Sequence, residues 1–379
     1  MPDLINVLVS LLVFAAGLYL TAATFTAAVR TVVIPRAENV WTTRWVYRVM
    51  LKLFRVFTDK ATTYEQRDGI MAYYSPMSIM LLIIMWLFVT TIGFTLMYWS
   101  IGVRPLYDAF WLSGSSLLTL GFRTIDNLPQ MILAFADAAL GLIYIALLIA
   151  YLPTIYAEFS KREMRVNMLE IRAGVPFSSV EMLKRFHRLD RMDKMIEVWY
   201  EWEEWFVELE QTHTSLPMLV FLRSPSPRRS WITAAGTVMD TAALMLATVD
   251  HPDAQDAQAS ICIRAGYIAL RAIADFFNIP YDPDPMPSDA ISIDRSEFDD
   301  VIAELRRAGV PLVDDIDQAW QDFRGWRVNY DGVLLAIANL TMAPYAAWIS
   351  DRSAVRFGPS NLTDPIAAEA IRTAAPTPD

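Results

Sequence analysis

Pro105-Leu-Tyr-Asp-Ala-Phe-Trp-Leu-Ser-Gly-Ser-Ser-Leu-Leu-Thr-Leu-Gly-Phe-Arg-Thr124 decides how the rest of the chain is read. The apolar part is too short to cross a bilayer, which takes about 20 residues. Pro105 suits the first turn of a helix, where its missing N–H would be unpaired anyway. Asp108, one turn in, suits the positive helix end. The helix should stop near Ser115–Leu118, with its negative end directed at Thr119-Leu120-Gly121-Phe122. That tetrapeptide reads as non-helical backbone in apolar surroundings. Such backbone is tolerated at membrane depth only where protein buries it or it lines a water-filled cavity.

Long uncharged runs flank this stretch. Gly69 to Val103 carries no charge; Tyr73 and Tyr74 mark one end, Tyr98 and Trp99 the other, as aromatic belts do. Pro129 opens a second apolar run, uncharged from Ala138 to Ala157 and expected to end near Pro153. Short helix, Thr-Leu-Gly-Phe and two flanking spans together resemble the pore loop of the potassium-channel superfamily, over roughly residues 70–157. In that family a pore helix ends in Thr-Val-Gly-Tyr/Phe-Gly, between an outer and an inner transmembrane helix. The resemblance implies a selectivity filter at Thr119, Leu120, Gly121, Phe122 and Arg123. Its carbonyls would replace the hydration shell of a monovalent cation, potassium or sodium, and Thr119 would add a ring of hydroxyls. It also implies a homotetramer, because one chain supplies one pore loop.

Arg123 departs from the family pattern, standing where the second Gly is expected. Arginine resists positive φ by about 1–2 kcal/mol, and four guanidinium groups would repel cations at the mouth. Weak selectivity for potassium is the expectation. Asp126 and Asp137 are candidate pore-mouth acids that could pair with Arg123; for Asp137 a structural salt bridge near the membrane surface is the other reading. Gly141 is read as a hinge or as a close-packing site against the outer helix. Pro153 can kink the inner end, where Ile149, Leu152 and Ile155 could close the pore by dewetting.

Further out, Leu4–Val29 is uncharged and preceded by Asp3 rather than by Lys or Arg, so it reads as an uncleaved transmembrane helix. Residues 30–68 hold eight basic residues against four acids, which places them in the cytoplasm. Within them Trp45, Val46, Val49, Met50, Leu53, Val56 and Phe57 recur at helical spacing, with Arg44, Arg48, Lys52 and Arg55 on the other face. That pattern suits a helix lying on anionic membrane lipid. The expected architecture is all-α. It comprises an N-terminal span (1–30), a cytoplasmic loop (31–68), a pore domain (69–158), a helical cytoplasmic domain (159–363) and a disordered tail (364–379). The expected location is a cell inner (plasma) membrane, crossed three times.

Composition narrows the function. The net charge is −10, and residues 158–379 carry the excess acid. An acidic soluble part argues against nucleic acid as partner. The single cysteine, Cys262, allows no intrachain disulfide. No phosphate loop, dinucleotide fingerprint or zinc motif occurs, so neither an enzyme nor a cofactor is indicated, and any regulatory ligand goes unread. Arg223-Ser-Pro-Ser-Pro-Arg228-Arg229 is either an anion- or lipid-binding loop or a solvated turn before a helix capped by Ser230. Pro176-Phe-Ser178-Ser-Val-Glu181 reads as a capping box opening a long helix through Trp199, Trp202 and Trp205. His187, His213 and His251 read as surface or cap residues. The rival to a channel is a membrane-anchored binding or scaffold protein whose pore fold does not select or conduct.

Overall fold

The computed structural model describes residues 2–34, 41–61, 63–252 and 257–351. The expected tail lies outside them. All regular structure among the described residues is helical; one isolated antiparallel bridge joins Val249 and Leu312. Three helices are long and apolar enough to cross a membrane: Leu4–Val32, Tyr64–Ser100 and Leu128–Ala173. The chain divides into two compact units, Met1–Leu53 with Tyr73–Ala157, and Phe54–Ala72 with Glu158–Asp379. The second unit therefore takes in part of the basic segment expected to stand as a loop of its own.

In the first unit, α1 (Pro2–Val32) packs along α4 (Tyr74–Ser100). Their backbones touch at glycines: a Cβ on Gly17 would lie 2.4 Å from the Gly93 carbonyl oxygen. Small residues allow this approach where packing, rather than water, drives helices together. α5 (Leu106–Leu117) packs on α4 through Phe94, Met97, Tyr98, Ala109 and Leu112. α6 (Leu128–Ala173) joins α4 by a 3.0 Å bond between the Tyr144 and Thr90 hydroxyls.

α6 does not end near Pro153. It runs on to Ala173, 46 residues in all. Pro153 removes one amide donor from the helical ladder, yet the helix continues past it. α2 (Trp41–Thr58) forms as its amphipathic pattern requires, with Trp45, Val49, Leu53, Val56 and Phe57 exposed. α3 spans Tyr64–Ala72.

The second unit has α9 (Trp231–Thr248) at its centre, buried at every position but Leu246. Enclosure explains a helix apolar on all sides. Its one charge, Asp240, meets the buried Arg327 at 2.5 Å. Arg327 also binds Asp331 at 2.7 Å, and Tyr330 donates to Asp240 at 2.9 Å. Around it stand α7 (Ser179–Arg188), α8 (Met195–Ser215), α10 (Ala257–Phe277), α11 (Arg295–Arg307), α12 (Ile316–Arg327) and α13 (Asp331–Leu340). The long helix expected from Ser178 is two helices. Ser178 does cap α7, accepting from the Glu181 N–H at 3.2 Å. Asp190 at φ +53° then turns the chain before α8. The chain is likewise broken between α12 and α13.

Candidate functional site

Sequence alone starts and stops α5. Pro105 stands at its N-cap with extended backbone, and Asp108 lies in its first turn. At the other end the chain folds back on the helix. The Thr119 N–H reaches the Ser116 carbonyl at 2.9 Å, and the Leu120 N–H reaches that of Ser115 at 2.8 Å. The Gly121 N–H shares the Ser115 carbonyl at 3.4 Å, and the Phe122 N–H donates to Ser115 Oγ at 3.2 Å. One residue thus holds three successive amides. No hydrogen bond among the described residues ends on a carbonyl from Leu118 to Asp126. Donors turn inward and acceptors are left over.

Gly121 has φ +69°, as its lack of a Cβ permits, and Thr119 has φ +54°. For a β-branched residue that is an outlier, and no sequence signal announced it. Arg123 keeps negative φ. The strain expected from replacing a glycine there does not arise, because the chain does not ask for the left-handed region at this position.

Within the chain, neither Asp126 nor Asp137 pairs with Arg123. Its partner is Asp108, at 2.9 Å, and its guanidinium also lies 5.5 Å from the centre of the Trp111 ring. The reason is reach: Asp108 stands at the start of the short helix whose end the loop leaves. Asp126 is exposed, and its N–H donates to Gln130 Oε1 at 3.1 Å. Asn127 caps α6, accepting from the Gln130 N–H at 3.1 Å. Asn127-Leu-Pro-Gln130 was a readable cap signal that the apolar run beyond it concealed.

Asp137 is enclosed. It has no exposed surface, and neither carboxylate oxygen has a hydrogen-bond partner. Gly141, one turn on, packs closely on α5: a Cβ there would lie 1.9 Å from the Leu117 carbonyl oxygen. Asp137 faces Ser113. The two contacts are four residues apart on both helices, so α5 and α6 meet in register.

Ile149, Leu152 and Pro153 lie on exposed surface of α6, while Ile155 is buried at 4%. The trio expected to form a constriction therefore splits between two faces. The outward apolar stripe is Leu142, Ile145, Ile149, Leu152 and Tyr156.

No family model, curated protein or solved structure matches this chain.

In the second unit the arginines of the proposed anion loop are mostly engaged. Arg223 pairs with Asp68 at 3.2 Å and donates to the Met342 carbonyl at 2.8 Å. Arg229 binds Glu170 at 2.8 Å and Asn167 at 2.6 Å. Arg228 alone is exposed. Ser230 precedes α9, but its side chain makes no cap bond. His213 is a core residue and not a surface one. It is 1% exposed, its Nε2 meets Arg162 Nη1 at 3.2 Å, and its ring lies 5.1 Å from that of Trp231. Burial, then the Arg162 charge, holds its imidazole well below the usual value. Arginine only donates, so Nε2 accepts and Nδ1 carries the proton. Trp199, Trp202 and Trp205 are buried as packing residues.

Proposed function

We propose that this chain is one subunit of a homotetrameric pore-loop cation channel in a cell membrane, with α5 as pore helix and Thr119–Arg123 as filter. One observation carries the reading. The amides of Leu120, Gly121 and Phe122 are spent on Ser115, while the carbonyls from Leu118 to Asp126 accept nothing from the described residues. Unspent carbonyls beside the negative end of a helix suit a dehydrated cation. The exposed Leu120 and Phe122 side chains support burial against further copies of the loop. The outward stripe on α6, from Leu142 to Tyr156, supports a partner or lipid on that side.

The Arg123–Asp108 pair bears on selectivity. A guanidinium neutralised by its own helix repels an arriving cation less than a free one. The channel is therefore expected to conduct monovalent cations. Discrimination between potassium and sodium is expected to be modest, because Arg123 replaces the last filter glycine. The acidic helical unit is read as cytoplasmic and regulatory or assembly-forming.

The test is cation flux through the purified full chain in liposomes. Potassium or sodium uptake that disappears in Thr119→Ala and Gly121→Ala is the expected result. No flux of either ion across the range of pH and voltage would sink the channel reading and favour a scaffold.

A further inference from the structure

Asp137 is the only acid on α6 before Glu158 and sits where charge is costly. No basic residue occurs in α4 or α5, and α6 has none before Lys161. The nearest cations in sequence are taken: Arg123 by Asp108, and Arg104 by the Trp99 ring, 3.3 Å from its centre. Nothing among the described residues neutralises the carboxylate.

Around it is a set of hydroxyls. Ser113 of α5 adjoins it, and Tyr98 of α4 lies near enough to feel its charge. Ser116, one turn beyond Ser113, lies beside the Tyr98 hydroxyl. Ser113 Oγ and Tyr98 OH, like both Asp137 oxygens, are buried without a hydrogen-bond partner. Tyr144, the other titratable neighbour, is engaged with Thr90. Orphaned polar atoms are normally few, and here four of them belong to three residues on three packed helices.

We propose that Asp137, Ser113, Ser116 and Tyr98 form an internal binding site for one small monovalent cation, separate from the loop carbonyls. Oxygen donors select a hard cation. One carboxylate balances one positive charge, whereas a divalent ion would leave net charge in apolar surroundings. The carbonyl end of α5 adds negative potential. Such an ion would tie α5 to α6 one turn from the Gly141–Leu117 contact. The site does not require that the chain conduct.

The test uses the purified full chain at fixed pH and ionic strength, in sodium chloride, potassium chloride or N-methylglucamine chloride. Amide exchange in 106–117 and the thermal midpoint are measured. Sodium or potassium should slow exchange saturably and raise the midpoint by about 2 °C at tenfold excess over its dissociation constant. The better of the two identifies the ion size. Thr119→Ala should keep part of the difference between salts, and in that background Asp137→Asn should abolish what remains. Equal behaviour in all three salts overturns the proposal. So does an Asp137→Asn variant stabilised alike in every salt, since the carboxyl then carries a proton or water. Loss of the salt effect in Thr119→Ala but not in Asp137→Asn would put the ion on the loop instead.

Discussion

Arg123 is tied to Asp108 at 2.9 Å, so the residue that ends the loop is bound to the first turn of the helix that begins it. The pair is part-exposed, at 33% and 25%, and such pairs contribute under about 1 kcal/mol. Its effect on an arriving cation is the more sensitive quantity. Asp108→Asn frees the guanidinium and should lower cation flux about two- to fivefold, the factor that energy implies. Arg123→Gly removes the charge altogether and should raise flux and shift preference toward potassium. In the Asp108→Asn background, Arg123→Gly should restore what Asp108→Asn lost. Liposome flux of the three variants decides it. Equal flux in wild type and Asp108→Asn would mean that the guanidinium lies away from the ion path.

Gly141→Ala tests the α5–α6 contact. A methyl 1.9 Å from the Leu117 carbonyl oxygen forces backbone to move, an overpacking cost of about 1–3 kcal/mol. The thermal midpoint should fall and flux should drop with it. Gly114 in α5 is the control, since a Cβ there meets nothing within 4 Å. Gly114→Ala should leave stability unchanged or raise it by about 0.5–1 kcal/mol, as the helix loses a glycine. Similar midpoints for the two variants would contradict close packing at Gly141.

Arg327→Met should destabilise the helical unit by about 3–5 kcal/mol, because Asp240 and Asp331 would stay buried without their cation. The surrounding carboxylates favour the charged guanidinium against the cost of burial. Arg295→Met breaks exposed pairs with Asp299 and Asp317 and should change stability by less than about 0.5 kcal/mol. Thermal melts followed by circular dichroism separate the two, and comparable losses would show that the Arg327 cluster is not a structural centre.

How far the sequence could be read depends on what each residue answers to. Local rules placed α5, because Pro105 and Asp108 act within one turn, and length with composition placed the three apolar helices. The enclosure of α9 rests on distant partners. Arg327, which satisfies Asp240, comes from a helix far along the chain. The break after α7 has no sequence signal because hydrophobic spacing continues across it; Asp190 in the left-handed region has no spacing signature. Asp137 and His213 were misplaced for one reason. A polar residue in an apolar run has a face, and only packing tells which. Ser115, which gathers three loop amides, looked like any small residue of the helix.

His213 supplies a pH signature of the helical unit. Its folded imidazole is held neutral, first by burial and next by the Arg162 guanidinium. Unfolded, it regains an ordinary value of about 6.5. Above that value neither state binds the proton and His213 has no pH-dependent effect. As pH falls below it, the unfolded chain takes up a proton that the folded chain refuses. Stability is then lost at up to about 1.4 kcal/mol per pH unit. His213→Gln cannot titrate, and its side-chain oxygen can still accept from Arg162. Other groups also titrate as the pH falls, so the informative quantity is the difference between the two proteins. Thermal midpoints from about pH 7.5 down to about 5.0 should fall more steeply for wild type than for His213→Gln, the curves separating only below about pH 6.5. Parallel curves through that range would mean that the folded protein can protonate His213, and that Arg162 moves aside when it does.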